Sequence, residues 1–179
     1  MSETLLFYAL TFSRLALALV FAASSLGKLR DFPAFERAVR DFRVLPGRLV
    51  RPGAYLFLAS EIAVVALMLA GAGLLWPGFL LAIVLLSLFS LALVMVLLRG
   101  IETACACFGS SRRPVSPADV GRNVGFLACA VVGLGSLSAL SDAPVNVGPA
   151  EIGLLGMMAL VCVAFLVYLG EVLAAFRSV

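Results

Sequence analysis

The chain has 179 residues, 63% of them hydrophobic and 13% charged, with a mean hydropathy of +1.15 and a formal net charge of +3. Globular domains run about 45–50% apolar and about 25% charged, so a soluble sphere of this size has no way to bury such a surface, and the chain reads as a polytopic membrane protein. It has no histidine, which removes a His-ligated haem, a Ser-His-Asp triad, a zincin site and an imidazole proton shuttle.

Five segments are long and apolar enough to span a bilayer, at about Leu5–Gly27, Pro52–Leu75, Pro77–Leu98, Pro117–Leu140 and Pro149–Phe176. The first carries Glu3 and no Lys or Arg ahead of its apolar run, and Arg14 interrupts that run, so it is expected to be a retained helix rather than a signal peptide. Between the first two spans, Asp31–Leu45 places Phe35, Ala38, Val39 and Phe42 at helical spacing among charges, which predicts a short helix lying in the membrane interface. Pro46 and Gly47 end it. Gly71, Gly73, Trp76, Pro77 and Gly78 join the second and third spans as a tight hairpin with an interfacial tryptophan. Ser116, Pro117 and Asp119 read as the capped start of the fourth span, and Gly121-x-x-x-Gly125 as a small-residue face for close packing. One all-α domain, a polytopic helix bundle over residues 1–179, is the economical reading.

Positive charge alternates between the connections. Lys28, Arg30, Arg37, Arg40, Arg43, Arg48 and Arg51 follow the first span, and Arg99, Arg112 and Arg113 follow the third, with Arg122 just inside the next helix. The two opposite loops carry none, and Arg177 lies in the tail. The expected topology is N-terminus outside and C-terminus inside. The basic residues lie at span edges rather than among exposed aromatics, and no phosphate-cradling glycine motif occurs, so neither nucleic acid nor nucleotide is expected as a ligand.

The main chemical resource is Cys105-Ala106-Cys107-Phe108-Gly109. A disulfide across one residue closes a very small ring; strained, exposed disulfides are labile and oxidising, which suits exchange better than stapling. Gly109 adds backbone freedom, while Arg99, Arg112, Arg113 and a helix N-terminus can stabilise a thiolate. The alternatives are two unpaired loop cysteines, or a soft-metal site left incomplete without histidine. Cys129 and Cys162, inside the fourth and fifth spans, are expected to act as small hydrophobes, unless they face each other or relay a disulfide.

Two charges sit deep. Arg14 and Glu61 are each roughly nine residues into antiparallel spans, about 13 Å down, so an Arg14–Glu61 ion pair is expected, either as a lock or as part of a polar pocket. Ser24, Ser25 and Lys28 close the first helix, and Arg122-Asn123 opens the fourth on the same side; interfacial snorkelling accounts for Lys28 and Arg122, with a polar pocket under the thiols as the alternative. Glu151 and Glu171 have no assigned task.

Arg14, Ser24-Ser25-Leu26-Gly27-Lys28-Leu29, Leu45-Pro46, Glu61, Cys105-x-Cys107-Phe108-Gly109 and Arg122-Asn123 together resemble the MauE/DoxX-type membrane proteins, the MauE branch in particular. The similarity covers roughly the first 130 residues. It implies a four-helix core laid out like DoxX and vitamin K epoxide reductase bundles, with a fifth spanning helix added. It also implies thiol–disulfide handling during maturation of exported proteins, in a bacterial cytoplasmic membrane and beside a thioredoxin-like or other thiol-containing partner. MauE is associated with biogenesis of methylamine dehydrogenase. Oxidative maturation belongs outside the cytoplasm, whereas the charge pattern puts Cys105 and Cys107 inside.

The leading reading is a membrane thiol–disulfide oxidoreductase working through Cys105 and Cys107, with Lys28, Arg122, Asn123, Phe108 and Gly109 in support and a quinone as the candidate electron acceptor. The competing readings are a non-enzymatic assembly factor, and a soft-metal or small-solute transporter routed past Arg14 and Glu61.

Overall fold

A computed structural model of the chain describes residues 3–101, 115–140 and 148–177. Six helices follow in order: α1 Glu3–Arg30, α2 Phe32–Asp41, α3 Gly47–Ala70, α4 Leu75–Leu98, α5 Pro117–Ala139 and α6 Pro149–Arg177. No strand occurs among the described residues. All but α2 are long and apolar enough to cross a membrane. The chain is therefore an all-α, multi-pass membrane bundle.

Helices α1, α3, α4 and α5 close a ring, each packing on the next and α5 returning to α1. Helix α6 lies outside the ring, mainly against α1, where Tyr8 donates a hydrogen bond to Glu151 at 3.1 Å. That contact gives Glu151 a task that its position at a helix end did not reveal. The core runs through the ring, with Leu17, Val64, Met68, Phe79, Ala82 and Ala130 fully enclosed. Helix α1 is the hub: 44% of its most apolar stretch is buried, against 11% for α6.

Helix α2 is amphipathic, as its spacing predicts. Phe35, Ala38 and Phe42 are buried while Arg37 and Arg40 are exposed. Asp31 caps it by accepting from the Ala34 amide, and it ends at Asp41, before the expected Leu45. Phe32 stacks on Tyr55 of α3 with centroids 4.4 Å apart, which fastens α2 to the side of the bundle.

Two span boundaries move. Helix α3 starts at Gly47 and runs through Pro52, where the sequence suggested a start; Val50 and Ala54 are buried on either side and hold that turn in helical form. It stops at Ala70 because Gly71 takes φ +70°, a backbone shape that ends a helix and that glycine adopts without strain. A short 3-10 turn at Ala72–Leu74 then leads into α4, with Trp76 about half exposed.

The expected packing face at Gly121 and Gly125 is absent: both glycines are exposed, and a methyl group at either would meet nothing within 4 Å. The close crossing lies at Gly133 instead, where a Cβ would come within 2.8 Å of the Ser13 Cβ and would strike the Phe79 ring. Spacing alone identified a small-residue stripe, but the rotation of α5 about its axis decides which glycine faces α1 and α4.

Candidate functional site

Near the C-terminal end of α1, the Lys28 ammonium points into the bundle and is 2% exposed; Glu61 of α3 is 3% exposed. Lys28 Nζ donates to Glu61 Oε1 at 2.7 Å, to Glu61 Oε2 at 2.9 Å and to Ser24 Oγ at 2.6 Å. Ser24 Oγ in turn donates to Glu61 Oε1 at 3.0 Å. All three ammonium protons thus have acceptors, and the serine closes the network. The Phe35 and Phe57 rings lie 5.1 and 5.4 Å from the buried ammonium, adding cation–π attraction. Removing two charges from water is costly, and only geometry of this completeness offsets it.

The Arg14–Glu61 pair is therefore corrected: Glu61 pairs with Lys28. Arg14 donates from Nε to the Met68 carbonyl and from Nη2 to the Leu69 carbonyl at 3.0 Å, satisfying acceptors at the C-terminal end of α3 that have no partner within the helix. Its guanidinium also lies beside Gly71, where a Cβ would stand 3.1 Å from Nη2. The reason is register. Counting from helix ends gave Arg14 and Glu61 matching depths, but α1 and α3 are staggered. Arg14 lies level with Leu69, and Glu61 stands eight residues earlier, about 12 Å away along the axis. There it lies level with Ser24, and Lys28, one turn further on, reaches back because helical side chains lean towards the N-terminus. Lys28 therefore does not snorkel outward, and it belongs with the polar-pocket alternative.

A cavity of about 30 Å³, the size of one or two water molecules, opens beside the pair. Ser24, Lys28, Glu61 and Asn123 give it polar walls, and Phe21, Phe57, Phe89 and Phe126 are among its apolar ones. Asn123 Nδ2 donates to Ser90 Oγ at 3.1 Å and, more weakly, to the Leu86 carbonyl at 3.4 Å, tying α5 to α4. One turn earlier, the Asp119 carboxylate accepts from the Ser116 amide at 2.9 Å and hydroxyl at 3.0 Å, the expected cap of α5. Its other oxygen lies 3.4 Å from Arg122 Nη2, and both residues are buried. Arg122, like Lys28, is held inside rather than spread on the interface.

Cys105, Cys107, Phe108, Gly109, Arg112 and Arg113 lie outside the described residues. The two ends of their connection are described: Ile101 and Val115 both pack on the cluster formed by Phe42, Leu93 and Val96. The connection thus leaves and rejoins the bundle at one place, at the end where α1 finishes and α5 begins. Cys129 is partly buried and Cys162 exposed, and neither thiol is in a disulfide. Among the described residues, no group of three or more Cys, Asp or Glu is placed to hold a metal ion.

The family model of the methylamine utilisation protein MauE matches residues 6–136. The methylamine utilization protein MauE of Paracoccus denitrificans is 39% identical over 120 residues, which cover 66% of this chain and 64% of that protein. Its counterpart from Methylorubrum extorquens is 34% identical over 176 residues, covering 94% of this chain and 88% of that one. No solved structure matches the chain.

Proposed function

Because the chain belongs to the methylamine utilisation protein MauE family, we propose that it serves methylamine utilisation as a membrane thiol–disulfide exchange protein assisting maturation of a partner. The observation that supports this reading is where the residues flanking the Cys105-x-Cys107 segment, Ile101 and Val115, lie. Both pack on one hydrophobic cluster, at the end of the bundle that holds the buried Lys28–Ser24–Glu61 network, Asp119 and Arg122. Reactive groups are commonly presented on connections between well-packed elements.

In the proposed exchange, a thiolate of the partner attacks one sulfur of the Cys105–Cys107 disulfide, and the other leaves as a thiolate. The partner's second thiolate then breaks the mixed disulfide. The partner is oxidised by two electrons, and Cys105 and Cys107 are reduced by the same two and take up two protons. A thioredoxin-like disulfide reverses the step and restores the pair. The exchange we propose runs between proteins, and a quinone stands as the alternative electron acceptor. Arg14 and Glu61 stand about 12 Å apart along α3, which favours exchange over a solute route past the two.

The test is substitution of the thiols in cells that mature the partner. Cys105→Ser and Cys107→Ser each abolish maturation, and one of them accumulates a reducible covalent adduct with the partner; Phe108 and Gly109 follow Cys107, which favours it as the exposed, attacked sulfur. Cys129→Ala and Cys162→Ala remain active. Full maturation in the Cys105→Ser/Cys107→Ser double variant overturns the exchange reading and leaves a non-enzymatic assembly factor. The arginine alternation supports a cytoplasmic side for the thiols in a bacterial cytoplasmic membrane. Impermeant maleimide is then expected to label reduced Cys105 and Cys107 only from that side, and labelling from the other side reverses the topology.

A further inference from the structure

A second space lies between α2, the end of α3's neighbouring loop and α4. It is an open groove of about 260 Å³, close to the small end of ligand pockets at ~300–1,000 Å³. Its walls are wholly apolar, with Val39 and Phe42 from α2, Leu45 from the connection, and Leu88, Ala92 and Met95 along α4. From Leu88 to Met95 the groove follows α4 for about 10 Å. At its far end it reaches Phe57 and Phe89, the two rings that also wall the Lys28–Glu61 cavity.

The other end is basic. Arg43 adjoins Phe42 and Val44 of the lining, and Arg48 lies three residues after Leu45. Arg99 follows Met95 by one turn and donates to the Arg43 carbonyl at 3.3 Å. All three are exposed, and none has a carboxylate partner among the described residues. Arg40 by contrast is occupied by Glu36 at 3.0 Å. Arg43 is held at φ +51°, a left-handed shape unusual for a side-chain-bearing residue, at the corner where α2 ends. An apolar groove thus has exposed arginines on the connection and helix end beside it, without a carboxylate partner among the described residues.

We propose that this groove is a binding site for one anionic phospholipid of the surrounding bilayer, with an acyl chain along α4 and its phosphate among Arg43, Arg48 and Arg99. Guanidinium groups bind phosphate through paired N–H donors, and each basic residue near the bilayer surface favours anionic lipid by about 1 kcal/mol, or roughly fivefold. The groove lacks any polar wall for a headgroup deeper in, which fixes the lipid's direction. The chain end then lies against Phe57 and Phe89, whose centroids are 6.1 Å apart. An occupied groove braces the rings that shield the Lys28–Glu61 pair.

The site is testable by fluorescence in vesicles of the full chain. Trp76 is the single tryptophan, so Trp76→Phe with Leu88→Trp places one reporter on the groove. In phosphatidylcholine vesicles, brominated phosphatidylglycerol at low mole fraction is expected to quench it about fivefold more effectively, per mole, than brominated phosphatidylcholine. Adding Arg43→Gln, Arg48→Gln and Arg99→Gln brings the two lipids to parity, and Ala92→Phe, which fills the slot, lowers quenching by the anionic lipid while the fold persists by circular dichroism. Equal quenching by both lipids overturns the proposal. So does weak quenching by both, the result expected if a second copy or a partner helix covers the groove. Unchanged preference in the arginine variant overturns it too, as does undiminished quenching in Ala92→Phe.

Discussion

Arg14 and Lys28 stand on one helix, fourteen residues apart, so close to four turns separate them and both face α3. Each is a cation inside a spanning segment, yet they are satisfied in different ways. Arg14 uses its planar fork on two backbone carbonyls where α3 stops, and no carboxylate is involved. Lys28 uses a compact ammonium on a carboxylate and a hydroxyl beside a cavity, with aromatic rings around it. The first arrangement fixes a helix end. The second brings together two side chains of opposite charge from different helices, each the other's counter-charge. Intramembrane charge is therefore not by itself a sign of function; the chemistry of the partner separates a brace from a site.

The sharpest way to break this contrast is to remove one member of the buried pair. Lys28→Leu or Glu61→Leu is expected to destabilise the protein by about 3–5 kcal/mol, because an uncompensated charge remains inside; thermal unfolding in detergent measures it. The Lys28→Leu/Glu61→Leu double variant should recover much of that loss. Recovery of stability without recovery of partner maturation would place the pair in the working site, and recovery of both would make it a lock.

Arg14→Leu is expected to cost less, about 1.5–3 kcal/mol, since the carbonyls it leaves are neutral and near a helix end. Combined with Glu61→Leu, its effect should add, with a coupling energy below about 0.5 kcal/mol. A larger coupling in that cycle would restore a direct Arg14–Glu61 interaction and refute the stagger. Gly133→Ala comes next, at about 1–3 kcal/mol, because the added methyl meets the Phe79 ring and Ser13 with no room to move. The smallest effect has the opposite sign: Gly121→Ala touches nothing within 4 Å and should stabilise by about 0.5–1 kcal/mol through helix propensity alone.

Features written in local sequence were legible. Apolar runs gave the five spans, the Phe35–Ala38–Phe42 spacing gave α2, and Ser116 with Asp119 gave the start of α5. Each depends on neighbours three or four residues away. The candidate site was legible only as a set of residues: Glu61, Lys28, Ser24 and Asn123 all drew attention, but the partners were mismatched. Pairing across helices depends on axial stagger and rotation, and neither is encoded within a turn. The stagger follows from α2 and its connection, which let α3 begin at Gly47 and overhang the end of α1. The rotation of α5 turned Gly133 inward and left Gly121 and Gly125 outside. One local signal did favour the observed pair: Ser24 and Lys28 are four residues apart, so their side chains share a face.

The central position of α1 has a consequence for how the protein is made. Helix α1 leaves the ribosome before α3, α5 and α6, against all of which it packs. Thirty-three residues separate Lys28 from Glu61, so at about 5–20 residues per second the lysine waits roughly 2–7 s for its carboxylate to be translated. During that interval α1 has neither its counter-charge nor its neighbours, and its long stem lets the ammonium stay at the water boundary. The turn inward follows the arrival of α3. Closure of the ring waits longer, for α5, so the bundle is completed by its later helices settling around one inserted before them.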